Sequence, residues 1–304
     1  MCADAYHDAM ALATISEIMN TLLLTYQPPY DWAWMLSFLR ARAVHGLELC
    51  AENHYSRIVT SGNAQGLITI AHRPDENALQ VTLSDDLAGE ETALGARIAR
   101  FLDLSLNPQA MLETLGPLAA ARPGLRLPGC IDGWEQAIRA VLGQLVSVAM
   151  AARLTARLVE AWGEPLSGFP GMRLFPAPGR LAELEPEALK ALGMPLMRAR
   201  AIIHLARLHL QGAFPLQAPQ DIDAGLKQLM ALPGIGRWTA CYYALRGWQA
   251  PDMFLADDYL VKQRFAGMTP AQTRGYASRW QPWRSYALLH IWNTDGWRPE
   301  CEAV

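Results

Sequence analysis

The segment LPGIGRWTA, residues 232–240, constrains the fold most, because a helix stop, two glycines and a helix start follow one another closely. Glycines let a backbone turn tightly and approach another molecule. Amide N–H groups at a helix N-terminus suit phosphate oxygens. The segment therefore predicts a helix–hairpin–helix that holds a nucleic-acid backbone through Pro233, Gly234, Ile235, Gly236 and Arg237. A bare helix–turn–helix corner fits the same residues, and the segment alone leaves both open.

Periodicity on either side of the hairpin predicts an α+β chain. In the first half, short alternating runs between Asn, Gly and Pro predict an antiparallel sheet, with helices after Asp31 and near 88–102. The second half shows helical spacing, which predicts all-α structure. The expected helices span residues 131–146, 147–162, 186–192, 197–210, 222–231, 237–246, 258–265, 270–280 and 283–294. We expect an N-terminal α+β domain at 19–130 and a helical domain at 131–304.

Charge and cysteine content exclude several classes of protein. The net charge of −3 argues against a general electrostatic nucleic-acid binder. Helix-terminal amides at the hairpin would bind phosphate without many cationic side chains. The cysteines show no CxxC spacing, so zinc and iron–sulfur centres are not expected. They are Cys2, Cys50, Cys130, Cys241 and Cys301. We expect unpaired thiols, with Cys130 and Cys241 in the core.

The termini and hydropathy lead to an expected cytoplasmic protein without membrane contact. Asp4 and Asp8 stand where a signal peptide would be basic, and no apolar run is long enough for a membrane span. No heptad repeat appears, so a monomer is expected.

The adjacent carboxylates Asp257 and Asp258 lie 22 positions beyond Gly236, just before an expected helix. Such a pair most often provides an N-cap and a charge that favours the helix dipole. Both roles fit here if Asp257 caps the helix while Asp258 faces a cleft. The positive end of the helix would then favour an ionised Asp258, the form that glycoside chemistry needs.

Together, LPGIGRWTA and FLADDYLVKQRF (254–265) resemble the helix-hairpin-helix DNA glycosylase superfamily, and more closely the bacterial 3-methyladenine-DNA glycosylase II family. Further matching stretches lie at 27–32, 121–152, 190–199 and 283–292. The resemblance extends from about residue 21 to 297. Residues 1–18 have no counterpart in it. They are expected to be a disordered extension or the product of a misplaced start, with Met19 as the true start.

The resemblance implies a monofunctional enzyme that flips alkylated bases, such as 3-methyladenine and 7-methylguanine, out of duplex DNA and hydrolyses the N-glycosidic bond. Asp258 would be the catalytic carboxylate. Bifunctional relatives carry a lysine where this chain has Trp238, so lyase activity is not expected. One carboxylate is enough, because an N3- or N7-alkylated purine is already cationic and leaves without protonation.

The resemblance also assigns the remaining site residues. Trp238, Tyr242, Trp292 and Phe38 would form the base pocket, and Tyr259 would add a wall. Leu145 would be the wedge that fills the gap left by the flipped base. No cofactor is required, and a monovalent cation at the carbonyls of Met230, Leu232 and Ile235 is an option that relatives suggest.

Other interpretations of these residues have to be weighed against this one. The aromatic side chains and Leu145 could simply fill the core. A glycosylase for oxidised or mismatched bases is disfavoured by Trp238 and by the missing cluster cysteines. A DNA-bending protein would have no use for Asp258 facing phosphates. A helical interaction domain would not explain matches in both halves of the chain.

Overall fold

A computed structural model describes residues 20–300, and the first half of this range is built on one antiparallel sheet. Its strands lie in the order β1-β5-β4-β3-β2. They are β1 Asn20–Thr25, β2 Glu48–Cys50, β3 His54–Ser61, β4 Ala64–Arg73 and β5 Ala78–Leu83. The expectations for residues 1–18, Met19, Cys2 and Cys301 lie outside the described residues. No helix in the described range is long and apolar enough to cross a bilayer.

Helices alternate with the strands in the first half of the chain and make up the second half. Those of the first half are α1 Trp32–Arg42, α2 Glu91–Phe101 and α3 Pro108–Leu115. The second half contributes α4 Gly133–Leu142, α5 Val148–Trp162, α6 Pro178–Ala182, α7 Pro186–Lys190, α8 Leu196–Leu210, α9 Ile222–Met230, α10 Arg237–Arg246, α11 Tyr259–Arg264, α12 Pro270–Ala277 and α13 Arg284–Asn293. The expected α+β class, an antiparallel sheet followed by helices, is confirmed. The boundary at residue 130 stays a prediction.

Local predictions were wrong at three places, one of which is α6, a five-residue helix that was not predicted. The helix expected over 131–146 ends at Leu142 because Leu145 adopts a left-handed backbone conformation, with φ 55°, that a helix cannot contain. Helix α3 was not predicted, although Asn107 caps it and Pro108 occupies its first turn. Both residues are helix-start signals, and the short apolar stretch after them was too brief to show a clear period.

A buried ion network joins the sheet to the helices. Arg57 on β3 lies 2.6 Å from Glu135 on α4, and Arg139 lies 2.8 Å from Glu135 and 3.0 Å from Glu48 on β2. Buried charges need such pairing, since an uncompensated one would be strongly destabilising. Arg139 also donates to the backbone carbonyl of Arg42, at the end of α1. The network therefore fixes α1, which comes from the first half of the chain, against the helical half.

Candidate active site

A cavity of about 640 Å³ opens where α1 meets the helical half of the chain. Its volume is that of a pocket for a small organic ligand. Side chains from α1, α4, α5, α10 and α13 line it, together with the residue that precedes α11. The lining includes Trp34, Phe38, Arg42, Arg139, Trp238, Tyr242, Arg246, Asp258, Trp292 and Asn293. It brings together residues more than 250 positions apart in the sequence.

Asp258 reaches this cavity from the N-terminus of α11. Its Oδ1 accepts hydrogen bonds from the backbone N–H groups of Leu260 at 3.0 Å and Val261 at 3.2 Å, and from the Trp292 indole at 3.1 Å. Its Oδ2 accepts from the Trp238 indole at 3.3 Å. These four donors orient the carboxylate at the cavity wall. Asp258, not Asp257, is the N-cap, so the expected division of roles was wrong.

One residue thus performs both roles because the two oxygens point in different directions. The cap uses Oδ1, which meets the free amides of the first helical turn. Oδ2 points toward α10, where Trp238 donates to it. A single carboxylate held on both oxygens has little freedom to rotate.

Stacked aromatic rings form one wall of the cavity. Trp238 and Tyr242, four residues apart on α10, lie 5.0 Å apart between ring centroids with planes 6° from parallel. Trp292 and Phe38 contribute further lining faces from α13 and α1. Tyr259 does not line the cavity. It is 74% exposed, and its hydroxyl accepts a hydrogen bond from the side-chain amide of Gln263, one turn along α11.

Two arginines that line the cavity beside Phe38 were not predicted from the sequence. Arg42 lies 3.6 Å from the centroid of the Phe38 ring, and Arg246 lies 4.9 Å from it. Arg246 also donates to the Tyr242 hydroxyl at 3.2 Å. Burial opposes ionisation of Tyr242, but Arg246 and Arg42 outweigh it and lower the pKa of Tyr242 to about 8. The only available signal was the i, i+4 spacing of Phe38 and Arg42.

Leu145 and the hairpin lie at the surface near this cavity. The Leu145 side chain is fully exposed, at 103%, in the loop between α4 and α5. In the hairpin, Pro233, Gly234, Gly236 and Arg237 are exposed and Ile235 is buried. Gly234 has φ 81°, which suits glycine. The exposed residues leave the N-terminus of α10 open to a partner.

The described cysteines are not close to one another in any metal-binding arrangement. Within residues 20–300, no group of three or more His, Cys, Asp or Glu side chains is placed to hold a metal ion. Cys50, Cys130 and Cys241 are free thiols. Cys241 is buried as expected, whereas Cys130 is only half-buried.

Two family models match this chain. The AlkA N-terminal domain matches residues 21–132. The model described as HhH-GPD superfamily base excision DNA repair protein matches residues 138–274.

Curated and solved relatives agree with these matches. DNA-3-methyladenine glycosylase 2 of Escherichia coli is 56% identical over 277 residues, covering 91% of this chain and 98% of the relative. A probable bifunctional transcriptional activator/DNA repair enzyme AlkA of Mycobacterium tuberculosis is 34% identical, covering 95% of this chain and 60% of the relative. The solved 3-methyladenine DNA-glycosylase of Archaeoglobus fulgidus, 18% identical, superposes with a TM-score of 0.77 over 90% of this chain and 97% of its own. That likeness shows a shared fold.

Proposed function

The chain belongs to the HhH-GPD superfamily of base excision DNA repair proteins and, within it, to the family of DNA-3-methyladenine glycosylase 2. From this premise we propose that it is a monofunctional DNA glycosylase that removes alkylated bases such as 3-methyladenine and 7-methylguanine from duplex DNA. The observation that carries the proposal is the position of Asp258. Its carboxylate lies at the wall of an aromatic cavity and is fixed by two indole N–H groups.

The chemistry needs only this carboxylate. The bond between the sugar C1′ and the base nitrogen breaks, and the base leaves with the electron pair, which neutralises its positive charge. Asp258 stabilises the cationic sugar that remains. Water then adds to C1′ and gives its proton to Asp258. No second acid is required, because the alkylated purine is a good leaving group without protonation.

The cavity lining fits a monofunctional reaction. A lyase would need an amine to form a Schiff base with the sugar. Trp238 occupies the position where the bifunctional relatives carry lysine, and no lysine is among the described residues that line the cavity. The Trp238 indole instead donates to Asp258.

The stacked faces of Trp238 and Tyr242, with Trp292 and Phe38, are proposed to hold the flipped base. Stacking contributes about 1–3 kcal/mol per base, and a cationic base gains further from the π faces. Aromatic faces stack on any flat base without reading its edges, so the enzyme is expected to tolerate several alkylated bases. Arg42 and Arg246 lie at the end beside Phe38, so the cationic base should stack on the Trp238 side.

DNA is proposed to dock on the hairpin and on Leu145 as a monomeric complex. Exposed backbone around Gly234 and Gly236 would hold a phosphate at the start of α10. The fully exposed Leu145 would enter the base stack in place of the flipped base. The acidic net charge fits this mode, because backbone amides rather than many lysines contact the strand. We propose that this takes place in the bacterial cytoplasm, on nucleoid DNA.

The same hairpin could hold a monovalent cation through the carbonyls of Met230, Leu232 and Ile235. Carbonyl oxygens suit such an ion, and the Leu232 carbonyl already accepts from the Ile235 N–H at 3.1 Å, which leaves its second lone pair for a ligand. The ion would neutralise a nearby phosphate. The glycosidic chemistry itself uses no cofactor.

The test is base release from methylated duplex DNA, with strand nicks scored before and after alkali. We expect free 3-methyladenine, with nicks only after alkali. Nicks before alkali, or a covalent adduct trapped by borohydride, would exclude a monofunctional enzyme. Release of no base would exclude a glycosylase.

A further inference from the structure

The loop that carries Leu145 is bonded directly to the hairpin through one side chain. The amide nitrogen of Gln144 donates to the Gly234 carbonyl at 2.8 Å and to the Thr239 hydroxyl at 2.9 Å. Gly234 lies at the tip of the hairpin, and Thr239 is buried in the first turn of α10. The residue next to the exposed leucine therefore contacts both the turn and the helix start that we assign to phosphate binding.

Helix α8 holds the same two segments from behind. Arg198, which is buried, donates to the backbone carbonyl of Gln144. Three residues further along α8, Ala201 packs so closely on Gly234 that a Cβ at Gly234 would lie 2.5 Å from the Ala201 Cβ. The Leu145 loop and the hairpin are thus fixed to one another and to a common helix.

These contacts bear on a strained residue. The backbone of Leu145 has φ 55°, a left-handed conformation that is rare for leucine, and the fully exposed side chain makes no packing contact that would hold it there. Such a conformation persists only where its surroundings enforce it. The bonds made by Gln144 on one side of Leu145 and the cap that Ser147 makes on α5 on the other supply that enforcement.

We propose that Gln144 and Arg198 are positioning residues that lock Leu145 to the hairpin in its inserting conformation. Docking of the hairpin on a phosphate then sets the depth and the position at which Leu145 enters the base stack. Little ordering of the loop remains to be done during base flipping, so less binding free energy is spent on it. The inference rests on the proposed function, because it assigns a role within DNA engagement.

The proposal requires that Gln144 act through Leu145, which a double-mutant cycle can test. Gln144→Met keeps the length of the side chain and adds no charge, but it removes the N–H donor to Gly234 and Thr239. The variants are Gln144→Met, Leu145→Ala and the double variant. Each is compared with wild type in single-turnover base release from methylated duplex and in affinity for duplex containing an abasic site. The matched control is Gln109→Met, which removes an exposed hydrogen bond from the side-chain amide of Gln109 to the carboxylate of Glu113 on α3.

We expect Gln144→Met to lower both the rate and the affinity by about tenfold, the effect of one or two lost hydrogen bonds. In the Leu145→Ala background the same change should cost less than about twofold, which is within the usual error of additivity. Gln109→Met should match wild type. Arg198→Lys should follow Gln144→Met, with the same dependence on Leu145.

Two results would overturn the proposal. A Gln144→Met variant with wild-type rate and affinity would show that the contact positions nothing. An equal loss with and without Leu145 would show that Gln144 acts on the hairpin or on stability alone. Wild type without base release would instead count against the proposed function, and the affinity cycle would still test Gln144.

Discussion

Replacing Leu145 by alanine tests whether an exposed leucine contributes to DNA engagement. The free protein should be unaffected, because the side chain is 103% exposed and packs against nothing that alanine would uncover. Insertion into the base stack would bury the whole side chain, and alanine loses three of its carbons. At about 0.8 kcal/mol per buried carbon, the loss is about 2.4 kcal/mol, or roughly 50-fold in single-turnover base release.

The assay is single-turnover release of 3-methyladenine from duplex DNA across a range of enzyme concentrations and pH values. The pH profile should keep its shape, because Leu145 does not titrate. Leu210→Ala is the control, since Leu210 is 58% exposed at the end of α8 far from Arg198. Equal rates for Leu145→Ala and wild type would refute the insertion argument. Lower thermal stability in the variant would show that Leu145 belongs to the packed structure.

Two further predictions concern buried titratable groups: Asp103, which does not line the cavity, and Tyr242, which does. Burial raises the pKa of Asp103 to about 6 from its ordinary 3.8, so the wild-type protein loses stability as the pH rises between these values. Asparagine does not ionise, so the unfolding free energy of Asp103→Asn should rise relative to wild type by on the order of 3 kcal/mol between low pH and pH 7. The Leu127 N–H and the Tyr286 hydroxyl both donate to the same carboxylate oxygen of Asp103, so the single amide oxygen of asparagine can accept both hydrogen bonds. A difference in unfolding free energy between variant and wild type that does not change with pH would contradict the prediction. At Tyr242 the folded pKa of about 8 is depressed, so its ionisation stabilises the fold as pH rises through 8 toward 10. The melting temperature of Tyr242→Phe should therefore fall further below wild type at pH 9.5 than at pH 7, and a constant gap would refute the reasoning.

Local signals in the sequence predicted the fold well. Helix α10 begins and ends at Arg237 and Arg246 as expected, because a glycine turn precedes it and its residues show helical spacing. The Leu145 loop shows the limit of such signals. Leu145 and Val146 keep the apolar spacing of the preceding helix, yet the helix ends at Leu142 and Leu145 is left-handed. The contacts of Gln144 with the hairpin that accompany this break are visible only in three dimensions.

The candidate site was predicted in part, through resemblance rather than through pattern. Trp238, Tyr242, Trp292, Phe38 and Asp258 do line one cavity. Which of the two adjacent aspartates caps α11 depends on whether the helix begins one residue earlier or later, and the sequence spacing does not resolve this. The approach of Arg42 and Arg246 to one ring, that of Phe38, could not be predicted, because Phe38 and Arg246 are distant in sequence and meet only in the folded chain.

The most direct test of the central claim is base release by Asp258→Asn. Asparagine is also a good N-cap, and its oxygen can keep the bonds to Leu260 and Val261, so α11 should stay folded. Asp221→Asn, a cap on α9 that accepts from Ala224, controls for the loss of a capping carboxylate. We predict that Asp258→Asn releases no 3-methyladenine while binding damaged duplex at least as tightly as wild type, and that Asp221→Asn stays active. Wild-type base release by Asp258→Asn would contradict the account.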